Sequence, residues 1–202
     1  MDSTGVLKSD PIPLIGKPVR LFRSFLVIIT IAPNRNPMIE FRKVKIPEEL
    51  GALQRLDEKI FAAFPGDLFT QEEWESFESH WMIADGAIAG CSALVHDVDY
   101  DESPRPGCLH IVSTGVVPEA RMRGLGRKLK EWQIEYARSY GFEVIVTNMR
   151  QSNYSIIRLN EALGFQRRLI HPAFYEDPLE DAIVMELRLS LTRGGGKSMV
   201  PQ

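Results

Sequence analysis

The stretch Arg121-Met122-Arg123-Gly124-Leu125-Gly126 lies between an apolar run, Leu109 to Val117, and an amphipathic run that reaches Tyr140. That order reads as strand, loop and helix. Gly124 and Gly126 let the backbone approach a ligand closely. The first N–H groups of a helix have no intrahelical partner, and its dipole favours negative charge. The chemistry is anion binding, and phosphate is the expected anion. Arg121, Arg123, Arg127, Lys128 and Lys130 crowd this helix start against only Glu119 and Glu131. Cations there oppose the dipole unless they serve something negative. For Lys128 and Lys130 a merely solvated basic face accounts for the charge equally well. The spacing is not that of a dinucleotide-binding GxGxxG, nor of a P-loop, which needs Lys-Ser/Thr after its second glycine.

The chain that must position this loop has 202 residues, 44% apolar and 25% charged, an ordinary globular composition for one domain. A net charge of -3 gives no basic footprint, so no nucleic-acid partner is expected. Cys91 and Cys108 are too few and too far apart for a metal knuckle or a disulfide framework, which suits a reducing, cytoplasmic setting. His80, His96, His110 and His171 have no short ligand spacing, so no metal is expected. Residues 1–37 hold Pro11, Pro13, Pro18, Pro33 and Pro37 of the thirteen prolines. Their apolar run, Phe25 to Ala32, is too short to cross a membrane, for which about 20 residues are needed. This segment reads as an accessory extension, with an added strand one form it could take, and Met38 as a candidate natural start. A domain is expected over 38–192 and a Gly-rich flexible tail over 193–202.

Within the domain, Ile39 to Val44 alternates as a half-buried strand, and Pro47 opens a helix carrying Leu50, Leu53, Leu56 and Ile60. Pro65-Gly66-Asp67 breaks it, and Thr70 with Glu73 predicts a capping box for a short second helix. Asp85-Gly86 predicts a hairpin turn between strands His80–Ala84 and Ala87–Val95. A loop from Asp97 to Gly107 leads to the strand before the anion loop. After the long helix come a strand at Phe142–Thr147, a helix at Asn153–Leu163, and strands at Phe165–Ile170 and Ala182–Leu191. An antiparallel hairpin combined with a β-α-β crossover indicates an α+β fold, a mixed sheet with helices on both faces.

The run Val116-Val117-Pro118 through Arg121, Gly124, Gly126 and Leu129 resembles the V-x-P-x-x-[QR]-x-x-G-x-[GA]-x-x-L signature of the GNAT superfamily of N-acetyltransferases. Asn153 with Leu163-Gly164-Phe165 resembles that family's second signature, in the right order and at the right separation. The resemblance implies a largely antiparallel seven-stranded sheet splayed between strands four and five, with acetyl-CoA as cosubstrate. It places the coenzyme pyrophosphate on the backbone of Arg121, Met122, Arg123, Gly124, Leu125, Gly126 and Arg127. It also places the pantetheine arm on backbone groups of Val116 and Val117, with Asn153 close to the arm; a simple helix N-cap is an equally good role for Asn153.

Histone-acetylating members of the family carry a glutamate base on strand four, and ungapped counting sets His110 at that position. An imidazole suits base catalysis at neutral pH. A strand-end histidine satisfied by its neighbours is the competing account. Many members carry a tyrosine acid four residues before the glycine of L-G-F, and here that residue is Asn160, which can hydrogen-bond a thiolate but not protonate it. Tyr154, Tyr175 or solvent remain as donors. The first-helix elbow and the loop 171–181, which flank the acceptor in the family, are rich in Asp and Glu and would attract a cationic amine. The expected activity is acetyl transfer from acetyl-CoA to an amine of a small molecule or peptide, with a non-catalytic acyl-CoA-binding module as the alternative. No membrane partner is expected, and a homodimer is admitted.

Overall fold

A computed structural model of the chain describes residues 37–190; the accessory strand and the tail expected at the two ends lie outside the described residues. The elements run β1 Ile39–Lys43, α1 Leu50–Ile60, α2 Gln71–Ser76, β2 Glu78–Ala84, β3 Ala87–Val98, β4 Pro104–Val116, α3 Leu125–Ser139, β5 Val144–Arg150, α4 Tyr154–Ala162, β6 Gln166–Glu176 and β7 Leu179–Arg188. Single 3-10 turns stand at Pro65–Asp67, in the α1–α2 elbow, and at Pro118–Ala120, before the anion loop. The seven strands form one sheet in the order β1-β2-β3-β4-β5-β7-β6. Every neighbouring pair is antiparallel except β4 and β5, the pair joined through α3. The mixed α+β sheet expected from the element order is therefore observed.

Local chemistry explains the boundaries. The Glu73 amide donates to Thr70 Oγ1 at 3.3 Å and the Thr70 amide to Glu73 Oε2 at 2.7 Å, so both halves of the capping box form. Asp85 and Gly86 take φ of 51° and 81°, the paired positive values that a two-residue hairpin turn needs. Two expected loops are strand instead. The β3–β4 connection shrinks to residues 99–103, closed by the Asp99 amide donating to the Ser103 carbonyl at 2.8 Å. The stretch 171–181 is mostly a β6–β7 hairpin that turns at Asp177-Pro178. Both segments lack a two-residue hydrophobic period for one reason. β6 is an edge strand, and β3–β4 runs on past its neighbours, so neither presents a continuous face to a core.

Successive strand residues face opposite sides, and this sorts the helices. Cys91 and Gly115 face α1, whose Ile60 side chain fills the space above Gly115. Ser92 and Thr114 face α3, where the Gln133 amide donates to both hydroxyls at 2.7 and 2.8 Å. Ile134 and Ala137 of α3 share a core with Ile157 of α4 and with Ile145, Ile183 and Met185 of the sheet. So α1 and α2 cover one face of the first half, and α3 and α4 cover the other face. On the α1 side of β5–β7 only a small cluster forms, Cys108, Val144, Val146 and Val184, edged by Tyr100 and Leu169.

Candidate functional site

β4 and β5 pair only from Cys108 to Ile111 against Val144 to Thr147. Immediately beyond, β4 carries a bulge. Ala93 opposes Ser113 whereas Leu94 opposes Ile111, so Val112 is the extra residue. A bulge bends its strand and increases the local twist. The last five residues of β4 thus leave β5 and open a gap in the sheet. In this antiparallel ladder the Val117 amide donates to the Ala89 carbonyl at 3.0 Å. Alternation then turns the backbone groups of Val116 and Thr114 toward the gap. Val117, expected to offer backbone groups there, instead has its N–H committed to β3. Val116 keeps its N–H for the gap, while its carbonyl accepts from Arg121 Nε at 3.0 Å.

The anion loop closes the open end of this gap. Met122 and Gly124 both take positive φ, 60° and 77°, and Gly124 caps α3. No side chain caps this helix and its first turn has no acidic residue, so the N–H groups of Leu125, Gly126 and Arg127 are left without a protein partner. Lys128 is the first to close a bond, to the Gly124 carbonyl at 3.2 Å. Three aligned donors at a positive helix end, beside left-handed backbone that cups them, suit a phosphate or pyrophosphate. Arg123 and Arg127 are half exposed, with ion pairs of 3.6 Å to Asp85 and Glu131. Arg121 plays another part. Its guanidinium donates to the carbonyls of Val116 and Ile60 at 3.0 Å each, tying the loop to β4 and to the end of α1. Lys130 departs from the expected basic face; it is 1% exposed, inside the protein, with Nζ 5.8 Å from the centre of the Phe165 ring.

At the apex of the gap stands His110, on the helix-free face with Val146 and 5% exposed. Its Nε2 lies 3.1 Å from Asn148 Oδ1, and Asn148 Nδ2 lies 3.4 Å from the Tyr175 hydroxyl. Burial lowers the proton affinity of His110, opposed by the bond to Asn148 and by the charges of Asp99, Glu102 and Asp101. Burial likewise keeps the Tyr175 hydroxyl protonated. Asn153 caps α4, its Oδ1 accepting from the Ile156 amide at 3.4 Å and the Ser155 hydroxyl at 3.0 Å. Asn160 lies in the seam between α4 and the sheet at 0% exposure, its Nδ2 3.6 Å from Met149 Sδ and 3.8 Å from Met185 Sδ. Its amide is thus engaged with the two sulfurs of the core.

The acidic mouth expected around the acceptor is also changed. Arg150, the last residue of β5, pairs with Asp67 through two bonds of 2.6 and 2.8 Å and with Glu180 at 3.2 Å. It also donates to the carbonyls of Asp177 and Pro178, and its guanidinium stacks between Phe64 and Tyr175. Both carboxylates are therefore engaged by one guanidinium, which offsets one of their two negative charges. Arg150 and Asn148 escaped the sequence reading, although the signal was present. They follow Val144 and Val146 on one face of a buried strand, where polar side chains need a reason.

A sheet parted beside an uncapped helix end makes a cleft with an anion site at its open end, in an α+β architecture. The acetyltransferase (GNAT) family model matches residues 50–165, more than half of the chain, and the chain belongs to that family. It is 28% identical to the [ribosomal protein bS18]-alanine N-acetyltransferase of Escherichia coli K12, over 71% of this chain and 93% of that protein. The crystal structure of the Escherichia coli enzyme superposes with a TM-score of 0.62 at 23% identity, covering 81% of this chain and 99% of that one. A Bacillus subtilis acetyltransferase in complex with CoA superposes with a TM-score of 0.60 at 21% identity, over 76% of this chain and 99% of that one. At these identities the two superpositions establish the fold. Among the described residues no helix is long and apolar enough to cross a membrane.

Proposed function

We propose that the chain is an acetyl-CoA-dependent N-acetyltransferase whose acceptor is an amine of a peptide, protein N-terminus or small molecule. The observation that carries this reading is the uncapped start of α3, three free N–H donors at the end of a strand that has just left its neighbour. These donors fit a pyrophosphate, and membership of the family, together with a CoA-bound structure of the same fold, supports coenzyme A as the ligand. Acetyl-CoA supplies the acyl group as a thioester. Met122 to Arg127 hold its phosphates, Arg121 braces the loop, and the Val116 N–H offers the bare edge of β4 to the arm. His110 takes the proton from the attacking amine nitrogen as the C–N bond forms. The C–S bond breaks, and the departing thiolate takes a proton from solvent. A protein or peptide amine is favoured among acceptors because the curated relative acts on a ribosomal-protein alanine.

A binding-only reading draws on one observation, that Asn160, which stands where many members of the family carry their acid, is enclosed against Met149 and Met185. One experiment separates the two. The chain is incubated with acetyl-CoA and a panel of peptide and small-molecule amines, with free thiol and acetylated product both measured. Transfer that is stoichiometric with thiol release, and reduced about a hundredfold in His110→Ala, is the expected result. Tight coenzyme binding without transfer to any amine sinks the catalytic reading.

A further inference from the structure

The hydrogen bonds at the apex of the gap fix more than the place of His110. We propose that Asn148 and Tyr175 are positioning residues that lock His110 as the Nε2–H tautomer, leaving Nδ1 as the atom that takes the amine proton. The proposal rests on the acetyltransferase reading for the use of Nδ1; the tautomer itself is independent of it.

Of the two ring nitrogens, Nε2 is the one within hydrogen-bonding reach of a protein group, 3.1 Å from Asn148 Oδ1. Among the described residues Nδ1 has no protein acceptor, so a proton placed there would have solvent alone as its partner, while Nε2 would face the Asn148 oxygen without a proton to share. With the Asn148 carbonyl oxygen turned to His110, its amide nitrogen meets the Tyr175 oxygen at 3.4 Å and donates to it. Every donor in the chain then points the same way, from His110 through Asn148 to Tyr175. The reversed amide would place a donor against Nε2 and force the histidine proton onto Nδ1. Tyr175 is itself held. The Arg150 guanidinium lies 4.4 Å from its ring centre and is anchored by Asp67, Glu180 and two carbonyls. A tautomer is set by the hydrogen bond that the other nitrogen makes, and here that bond is backed by three strands, β4, β5 and β6.

In the reaction the amine N–H proton passes to Nδ1, the nitrogen lone pair forms the new C–N bond, and the Nδ1 proton then leaves to water. Nε2–H never dissociates. The charged groups that bear on the ring are Asp99, Asp101 and Glu102 of the β3–β4 turn, all of which raise its proton affinity. From the other side come the neutral Tyr175 and, around it, Arg150, Asp67 and Glu180. An added charge at position 148 would act directly on the ring.

The test is the 15N spectrum of the imidazoles in the whole chain, with His110 assigned by its loss in His110→Gln. The expected wild-type result is one neutral tautomer, protonated at Nε2. Asn148→Ala and Tyr175→Phe are expected to give a mixture, and Asn148→Asp to raise the His110 titration midpoint by about one unit or more. Tyr175→Phe keeps the packing and covers the case in which Asn148→Ala does not fold. It is also expected to lower kcat roughly tenfold with KM unmoved. A wild-type ring protonated at Nδ1, or a tautomer unchanged in both variants, overturns the lock. A locked tautomer in a chain that acetylates no amine overturns the base role and the functional reading together, whereas mixed tautomers in an active enzyme overturn the lock alone.

Discussion

Lys130 and Asp57 are buried charges whose partners are missing, and each makes stability depend on pH in its own direction. Among the described residues Lys130 has no carboxylate partner, and burial brings its ammonium down to about 7 from 10.5. The unfolded chain then binds more protons than the folded one between pH 7 and 10.5, so stability rises with pH across that window. Replacing it by Met is expected to stabilise the protein by roughly 2–4 kcal/mol at pH 7 and by almost nothing at pH 10.5, as read by denaturant unfolding. Asp57 behaves in the opposite sense. Burial raises its carboxyl to about 6 from 3.8, with a long bond of 3.4 Å from the Phe69 amide as its partner. Its cost appears as pH rises through that interval. Asp57→Asn is therefore expected to stabilise at pH 7 and to match the wild type near pH 4. At the proposed active centre the sign would be set by His110, whose proton affinity burial lowers. Acetyl transfer is expected to fall only below the ordinary histidine value of 6.5, and an acid limb above that value in the pH profile of kcat/KM would contradict its placement.

At the scale of elements, the departure of β4 from β5 depends on close packing as much as on the bulge. A Cβ added to Gly115 would lie 2.5 Å from Ile60 Cγ2 and 2.8 Å from Ile60 Cδ1. α1 thus rests directly on the gap-forming end of β4, where Arg121 also ties the Ile60 carbonyl to the anion loop. Gly115→Ala is expected to cost about 2 kcal/mol through overpacking, with part of the loss restored by Ile60→Val in the double variant. Additive losses in thermal unfolding would mean that the two residues are not in contact. Much at this scale was legible in the sequence, because the evidence is local. Thr70 and Glu73 predict their own capping box, Asp85-Gly86 its own turn, and Gly124-Leu125-Gly126 the uncapped start of α3. Segments with no face in a core were not legible, so 97–107 and 171–181 were expected to be loops where they are largely strand. The bulge at Val112 leaves no residue-type signal either, since valine fits any position of an apolar strand.

Across the whole molecule, the helix-free face is framed by ion pairs that join segments far apart in sequence. Arg168 pairs with Asp99, and Arg105 bridges Asp99 and Glu186, which fastens the β3–β4 turn across the sheet to β6 and β7. Arg150 fastens the α1–α2 elbow to the β6–β7 turn. No sequence period reports such contacts, so the partnership of Arg150 with Asp67 and Glu180 was not legible in the sequence. With its side chain only 4% exposed and its Asp67 partner 18% exposed, this pair is largely shielded from solvent. Arg150→Lys loses the two-pronged bond and is expected to destabilise by roughly 2–4 kcal/mol, with a cycle through Asp67→Asn showing a large coupling term. The central claim concerns the start of α3, and binding of acetyl-CoA to wild type and to Gly126→Asp tests it most directly. A Cβ at Gly126 meets nothing within 4 Å, and an acid in the first helical turn is itself stabilising. The variant should therefore unfold no earlier than wild type, yet bind acetyl-CoA more than tenfold more weakly, because its carboxylate stands where the pyrophosphate would sit. Equal affinity in the two proteins, or a wild type that binds no acetyl-CoA at all, would contradict the account.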